Sequence, residues 1–293
     1  MAAFNPLDYP SAFANPQLVS DGSAWVTHIP FAMTLIPMLR PRMLVELGTL
    51  YGDSYCAFCQ SIVANETETR CFAIDTWQGD QHVNIAKQGS HILESLRAHH
   101  DPQYGRFSTL IQSTFDEALP RFEDGSIDLL HVDGSHQYEA VKHDYQTWER
   151  KLSDRAVVLF HDIIVEGSGF GVHQFWREIA PGKPFFEFAH GWGLGVLGVG
   201  KNLPQPFVDF LETAKASPEQ VRSYFFAVGH RIEMYRIAKM MINGHAQVHQ
   251  LLERWLNERG HGLKGLPDPL GQAGPFLNQI TGELRQVLEM MKT

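Results

Sequence analysis

Five short segments of this chain share one design, an apolar run that stops at an acid, a glycine or a serine. They are MLVELG (43–48), CFAID (71–75), FSTLIQS (107–113), IDLLHVDG (127–134) and AVVLFHD (156–162). Segments this rich in Val, Ile, Leu and Phe read as strands covered on both faces. Each gap between them has room for a helix, as in DSYCAFCQSIVA after the first and YEAVKHDYQTWERKL after the fourth. Such βαβ repetition permits few folds: the strands lie parallel in one doubly wound sheet, with ligands at their carboxyl ends. Where the rhythm breaks, FFEFAHGWGLGVLGVG (185–200) reads as two short strands meeting around His190 to Gly193, an antiparallel hairpin on the sheet edge. The expected fold is α/β, a mostly parallel seven-stranded sheet with that hairpin at one edge and helices at the C-terminus.

Around this core the chain divides into an N-terminal segment with a lid helix (1–42), a ligand-binding α/β domain (43–205) and a helical C-terminal extension (206–293). The extension opens a long helical region, 216–259, at the capping signal SPEQ, with breaks expected at Gly229 and Gly244. Phe225, Val228, Ile232, Tyr235 and Ile242 fall on one face of it. That is more apolar surface than a solvated helix needs, and it points to packing over the core or in a homo-oligomer. A Gly/Pro-rich linker then leads to an amphipathic helix carrying Leu277, Ile280, Leu284, Val287 and Met291.

Composition narrows the class of partner. A net charge of -9 with no basic face disfavours nucleic acid and suits a small or neutral substrate. No apolar run reaches the length of a membrane span and the N-terminus lacks a signal-peptide pattern, so the cytoplasm is the expected location. Cys56, Cys59 and Cys71 are too few for a disulfide framework, and CAFC, inside a predicted helix, reads as two packed thiols.

The strand ends carry the chemistry. VELGTLYGDS (45–54) sets Glu46, Gly48, Thr49, Gly52 and Ser54 where the first strand turns into the first helix. Glycine lets a ligand approach the backbone there, and the free N–H groups of a helix start suit an anionic group. The spacing is neither the G-x-G-x-x-G of dinucleotide binders nor a P-loop. Asp75 tips the second strand, where an acid can accept from both hydroxyls of a ribose. Asp133 and Asp162 close strands four and five, so two carboxylates converge, and a divalent cation would relieve their repulsion. His136, three residues past Asp133 across a Gly-Ser turn, can reach a hydroxyl bound there as general base. GSGFGV (167–172) reads as a flexible loop beside the site, with His190 and Trp192 as candidates to line an acceptor pocket.

Together these motifs resemble the class I S-adenosylmethionine-dependent methyltransferases over about residues 25 to 200. The nearest form is the metal-dependent O-methyltransferase group that includes catechol and macrolide-sugar methyltransferases and cephalosporin-hydroxylase-like proteins. The resemblance implies a Rossmann-like sheet, with S-adenosylmethionine on the glycine loop and Asp75. It also implies Ser54 on the methionine carboxylate, Ser113 near the adenine, and Asp133 at the meeting of cofactor and metal. A magnesium or manganese ion would be held by Asp133, His161 and Asp162. The family pattern has an acidic pair after strand five where this chain has His161-Asp162, and imidazole suits manganese, iron or zinc better than magnesium. In the resembled sugar methyltransferases a DGSH stretch supplies ligand and base, the roles expected of Asp133 and His136. The expected function is O-methylation of a hydroxyl on a sugar, glycan or glycosylated metabolite. The alternatives are a phenolic acceptor, an NAD-dependent oxidoreductase, or a non-catalytic binding protein on the same fold.

Overall fold

The computed structural model describes residues 4–79 and 89–258, in a chain of two compact units, Met1–Gly229 and His230–Thr293. The first unit holds the sheet. After α1 (Ile29–Leu39) come β1 (Met43–Leu47), α2 (Asp53–Ala64), β2 (Arg70–Asp75), α3 (Gly89–Tyr104), β3 (Ser108–Gln112), α4 (Phe115–Ala118), β4 (Ile127–Val132), α5 (Tyr138–Trp148), β5 (Leu152–His161), α6 (Val172–Ile179), β6 (Phe185–Phe188), β7 (Leu194–Gly198) and α7 (Gln205–Ala216). The last described helix, α8, spans Pro218–Glu258.

The seven strands run in the order β3-β2-β1-β4-β5-β7-β6. Neighbours from β3 to β5 are parallel, and β7 is antiparallel to both β5 and β6. The chain first builds outward from β1 to β3 and then returns to place β4 on the other side of β1. That reversal opens a crevice at the carboxyl ends of β1 and β4, where open α/β sheets bind ligands. Register aligns the ends: Leu47 pairs with Ile74 and with Val132, and Val132 with Phe160. The residues that follow therefore stand in one row along the sheet edge.

Burial explains the unbroken apolar runs. All six residues of β4 are buried, and helices cover both faces of the sheet centre. On one face Val141, Tyr145 and Trp148 of α5 join Phe160, Phe175 and Trp176 in a single core.

Two expectations change here. β5 begins at Leu152 rather than at Ala156, with a register irregularity between Ile127 and Leu129 absorbing the extra residues. α8 runs unbroken through Gly229 and Gly244. Gly229 serves close packing instead, since a Cβ there would lie 2.0 Å from the Thr27 carbonyl oxygen. Cys56 and Cys59 are buried free thiols on α2, as packed residues should be. The side chain of Ile242 and the predicted helix bearing Leu277 to Met291 lie outside the described residues. Among those described, no helix is long and apolar enough to cross a membrane.

Candidate active site

A cavity of about 550 Å³ opens over the carboxyl ends of the strands. Its first wall is the loop between β1 and α2. Gly48 has φ +88°, and a Cβ on it would sit 2.0 Å from the carbonyl oxygen of Asp133, so the loop can lie this close to β4 only with glycine there. Thr49, Leu50, Tyr51, Asp53 and Ser54 continue the wall. Asp53 opens α2 and accepts from both N and Oγ of Ser20 at 2.7 Å, which ties residues 20–25 to the helix start. Gly22 to Trp25 thereby form part of the cavity. Gly52 lies behind the wall with its Cα against Leu96, and its φ of +86° makes the turn into α2.

Asp75 braces the loop from the tip of β2. Its Oδ2 accepts from Thr49 N at 2.8 Å and Leu50 N at 2.9 Å, and its Oδ1 from Trp77 N at 2.7 Å. A carboxylate has about four acceptor positions, and Asp75 still borders the cavity. Thr49 Oγ1 is buried at this wall without a hydrogen-bond partner among the described residues.

Besides Gly52, two residues expected at the cofactor stand off the cavity lining. Glu46 is fully buried beneath the loop, where its Oε2 accepts from His131 Nδ1 at 2.7 Å. Trp25 Nε1 donates to His131 Nε2 at 3.2 Å. An indole can only donate, so His131 Nε2 carries no proton and Nδ1 must, which defines a neutral tautomer pointing at Glu46. Burial raises the Glu46 pKa above its usual value, against the pull of His131 and Ser54. Ser113 also turns from the cavity and bonds Thr114 O at 3.0 Å, leaving Thr114 and Phe115 on the wall.

The opposite wall carries the charge. One ligand atom each from Asp133, His136 and Asp162 lies within 4.8 Å of the others. His136 Nε2 is 2.9 Å from Asp162 Oδ2, and its ring stacks on Phe170 at 4.7 Å. Gly171 N donates to His136 O at 2.8 Å, so the GSGFGV loop is packed onto the histidine. Asp162 holds φ +63°, a left-handed conformation that costs a non-glycine residue about 1 kcal/mol or more and is tolerated where the surroundings impose it. Burial would raise the Asp162 pKa, but His161 and His136 outweigh it and hold the carboxyl far below the usual range.

His161, expected as a metal ligand, stands beside both carboxylates. Its Nε2 donates to Gly191 O at 2.8 Å, and its Nδ1 lies 3.3 Å from Asp133 Oδ1 and 3.4 Å from Asp162 Oδ1. Burial would lower its pKa, yet the two carboxylates raise it well above the ordinary histidine value. His161 thus turns Nδ1 to both carboxylates, and His136 adds a further nitrogen within ligand spacing of them. Trp192 lines the cavity at φ +66°, while His190 stacks on His28 at 4.6 Å and faces the core.

Sequence reasoning missed Trp25, Phe115 and Asp144 on the wall. For Asp144 a signal existed: it stands inside the apolar stripe of α5 made by Val141, Tyr145 and Trp148. Burial pushes its carboxyl up to about 7.

A family model described as "Methyltransferase domain" matches residues 45–163. The uncharacterized protein y4gI of Sinorhizobium fredii is 48% identical over 200 residues, 68% of this chain and 22% of that protein, so the chain spans about a fifth of its relative's length. Solved structures with similarity include a methyltransferase from Geobacter sulfurreducens (18% identity, 59% of this chain and 78% of that one, TM-score 0.43). Another is the O-methyltransferase TomG from Streptomyces achromogenes, involved in tomaymycin synthesis and solved with S-adenosylmethionine (17% identity, 67% and 97%, TM-score 0.45). The matched segment runs from the middle of β1 to the residue after Asp162 and so contains the glycine loop, Asp75, Asp133 and His136. Residues 45–163 thus match a methyltransferase-domain model, and they lie on a seven-stranded, mostly parallel Rossmann-like sheet.

Proposed function

We propose that this chain transfers the methyl group of S-adenosylmethionine to a hydroxyl of a sugar, glycan or glycosylated metabolite, with a divalent cation beside the acceptor. The observation that carries the reading is the convergence of Asp133, His136 and Asp162 on a cavity whose other wall is the glycine loop and Asp75. The donor set fits a cation: two carboxylates and one imidazole suit manganese or iron better than magnesium. Such an ion would lower the pKa of an acceptor hydroxyl.

The chain's own groups do the rest. The loop from Gly48 to Ser54 holds the cofactor, with Thr49 Oγ1 as an unused polar atom facing it and Asp75 beside the ribose. His136 is the general base. Its Nε2 lies 2.9 Å from Asp162 Oδ2, and to act as base the neutral ring must carry its proton on Nδ1, so that Nε2 offers its lone pair to the acceptor hydroxyl and takes that proton as the methyl is transferred. The stack on Phe170 keeps the ring in plane meanwhile. Exposed Trp192 offers a flat apolar face of the kind that sugar rings lie against.

A second assignment follows from the spacing of the three ligand atoms, which would make His136 a ligand and leave the proton to water. Rate against pH decides between them, because removing a base deletes its ionisation from the profile. The function itself is tested by calorimetry with S-adenosylmethionine and NAD, followed by methyl transfer to sugar and phenol panels with and without chelator. Binding of S-adenosylmethionine and chelator-sensitive methylation of sugars is the expected result. Full activity in chelator refutes the cation, and transfer to phenols alone refutes the glycan acceptor.

A further inference from the structure

We infer that Asp144 reads the adenine ring of the cofactor, accepting a hydrogen bond from its exocyclic amine and so selecting an amino purine over an oxo purine. The inference rests on the reading that S-adenosylmethionine occupies the cavity. Two ends of that molecule are then placed: the ribose at Asp75, and the reactive methyl at Asp133 and His136. Beyond the ribose, Thr114, Phe115, Gly134, Ala140 and Asp144 form a further stretch of wall that can receive the base.

That wall is shaped for a flat ring. Gly134 lies between Phe115 and Asp144, and a Cβ on it would come 2.6 Å from Phe115 Cε2 and 3.4 Å from Asp144 Oδ2. Gly134 is absent from the glycines with positive φ, so the missing side chain supplies space and not a turn. At the end of this slot Asp144 is 8% exposed, and no hydrogen bond to its carboxylate occurs among the described residues. The nearest charged groups are occupied with each other, His143 Nε2 lying 2.9 Å from Asp116 Oδ1. A buried acid inside an apolar helix stripe costs stability unless a donor meets it. The exocyclic amine of adenine is such a donor, whereas the 6-oxo group of hypoxanthine would set acceptor against acceptor. Ionised, the carboxyl offers acceptors only, so the contrast is read at about pH 8 or above, where Asp144 is charged.

The test is calorimetry on the full chain with S-adenosylhomocysteine and with S-inosylhomocysteine, which differ only in the amine. The unsubstituted protein should prefer the first by about 10- to 100-fold, the range for one base-edge contact. In Asp144→Asn the side-chain amide can turn to face either group, so the preference should fall below about threefold. Asp144→Leu should weaken S-adenosylhomocysteine about tenfold and leave the inosyl compound unchanged. Should the leucine variant fail to fold, the asparagine variant carries the test alone. Binding of S-adenosylhomocysteine with equal affinity for the inosyl compound, or an unchanged preference in Asp144→Asn, overturns the role of Asp144 and leaves the cofactor reading standing. No binding of either compound to the unsubstituted protein overturns both.

Discussion

β4 carries an acid at each end, and the two are treated in opposite ways. Asp128, near its start, is 2% exposed and fully matched. Its Oδ2 accepts from Arg42 N and Nε at 2.8 and 2.9 Å, and its Oδ1 from Arg42 Nη2 at 2.8 Å and Ser153 Oγ at 2.6 Å. Asp133, just past the other end, has a 20% exposed side chain and lies 3.3 Å from His161. Arginine stays charged at any pH the protein meets, so the first contact is permanent. Histidine can change its charge, and a bound ligand can replace it. One strand thus delivers a fully matched acid to the closed edge of the sheet and an acid on the cavity wall to the open edge.

The largest expected effect breaks the open edge alone. His136→Ala should lower methyl-transfer turnover by about 10²- to 10⁴-fold, the usual range for a general base, with the melting temperature nearly unchanged. Steady-state kinetics beside a thermal melt checks both halves, and an equal loss of stability would erase the contrast. Asp128→Ala should do the reverse. It strands Arg42 and Ser153 and should cost about 2 to 4 kcal/mol by urea unfolding, with kcat of the remaining folded protein preserved.

The pH dependence sharpens the same contrast through sign. Burial would raise the Asp128 pKa, but the bonds from Arg42 and Ser153 outweigh it and the folded value lies below the ordinary 3.8. Its stabilisation is therefore full above the unfolded pKa and lost as pH falls through the folded one. Asp144 has the opposite shift, to about 7. Its cost is absent below about pH 4, grows as pH rises, and is complete above about 7. Asp144→Asn should accordingly stabilise the cofactor-free protein by about 1 to 3 kcal/mol at pH 8 and by almost nothing at pH 4, measured by urea unfolding at both. A gain of equal size at both pH values would mean that packing, and not ionisation, separates the two side chains. The smallest effect belongs to Ser113→Ala, which should change S-adenosylmethionine affinity by under about 0.5 kcal/mol because its hydroxyl turns toward Thr114 O.

The strands were legible because their periodicity is local: a run such as AVVLF announces burial on both faces without knowledge of its neighbours. The same holds for acids at strand tips, and Asp75, Asp133 and Asp162 were readable for that reason. What escaped is long-range. Trp25 reaches the cavity from a segment of short 3₁₀ turns with no period to read, held by the Ser20 to Asp53 contact. His161 was expected to be a ligand because it stands where the resembled family has an acidic pair, and the Gly191 carbonyl, 30 residues away, sets which way its ring faces. Glu46 sits in a strand that alternates faces residue by residue, so its neighbours on the loop could face the cavity while it faced the core.

The buried pair of Glu46 and His131 has a consequence for how the chain assembles. The two residues are opposite one another in the β1–β4 register but 85 positions apart in sequence. A slip of one residue would set the carboxylate against Leu130 or Val132, leaving it without a donor in an apolar layer, so the pair acts as a lock on the correct alignment. During synthesis at about 5 to 20 residues per second, β1 to β3 would emerge with the inner edge of β1 open for roughly 4 to 17 s before β4 arrives to close it. An open edge of that kind invites pairing with foreign strands. Glu46, lying on the inner strand, puts a charge into that edge until the one histidine that matches it has been made.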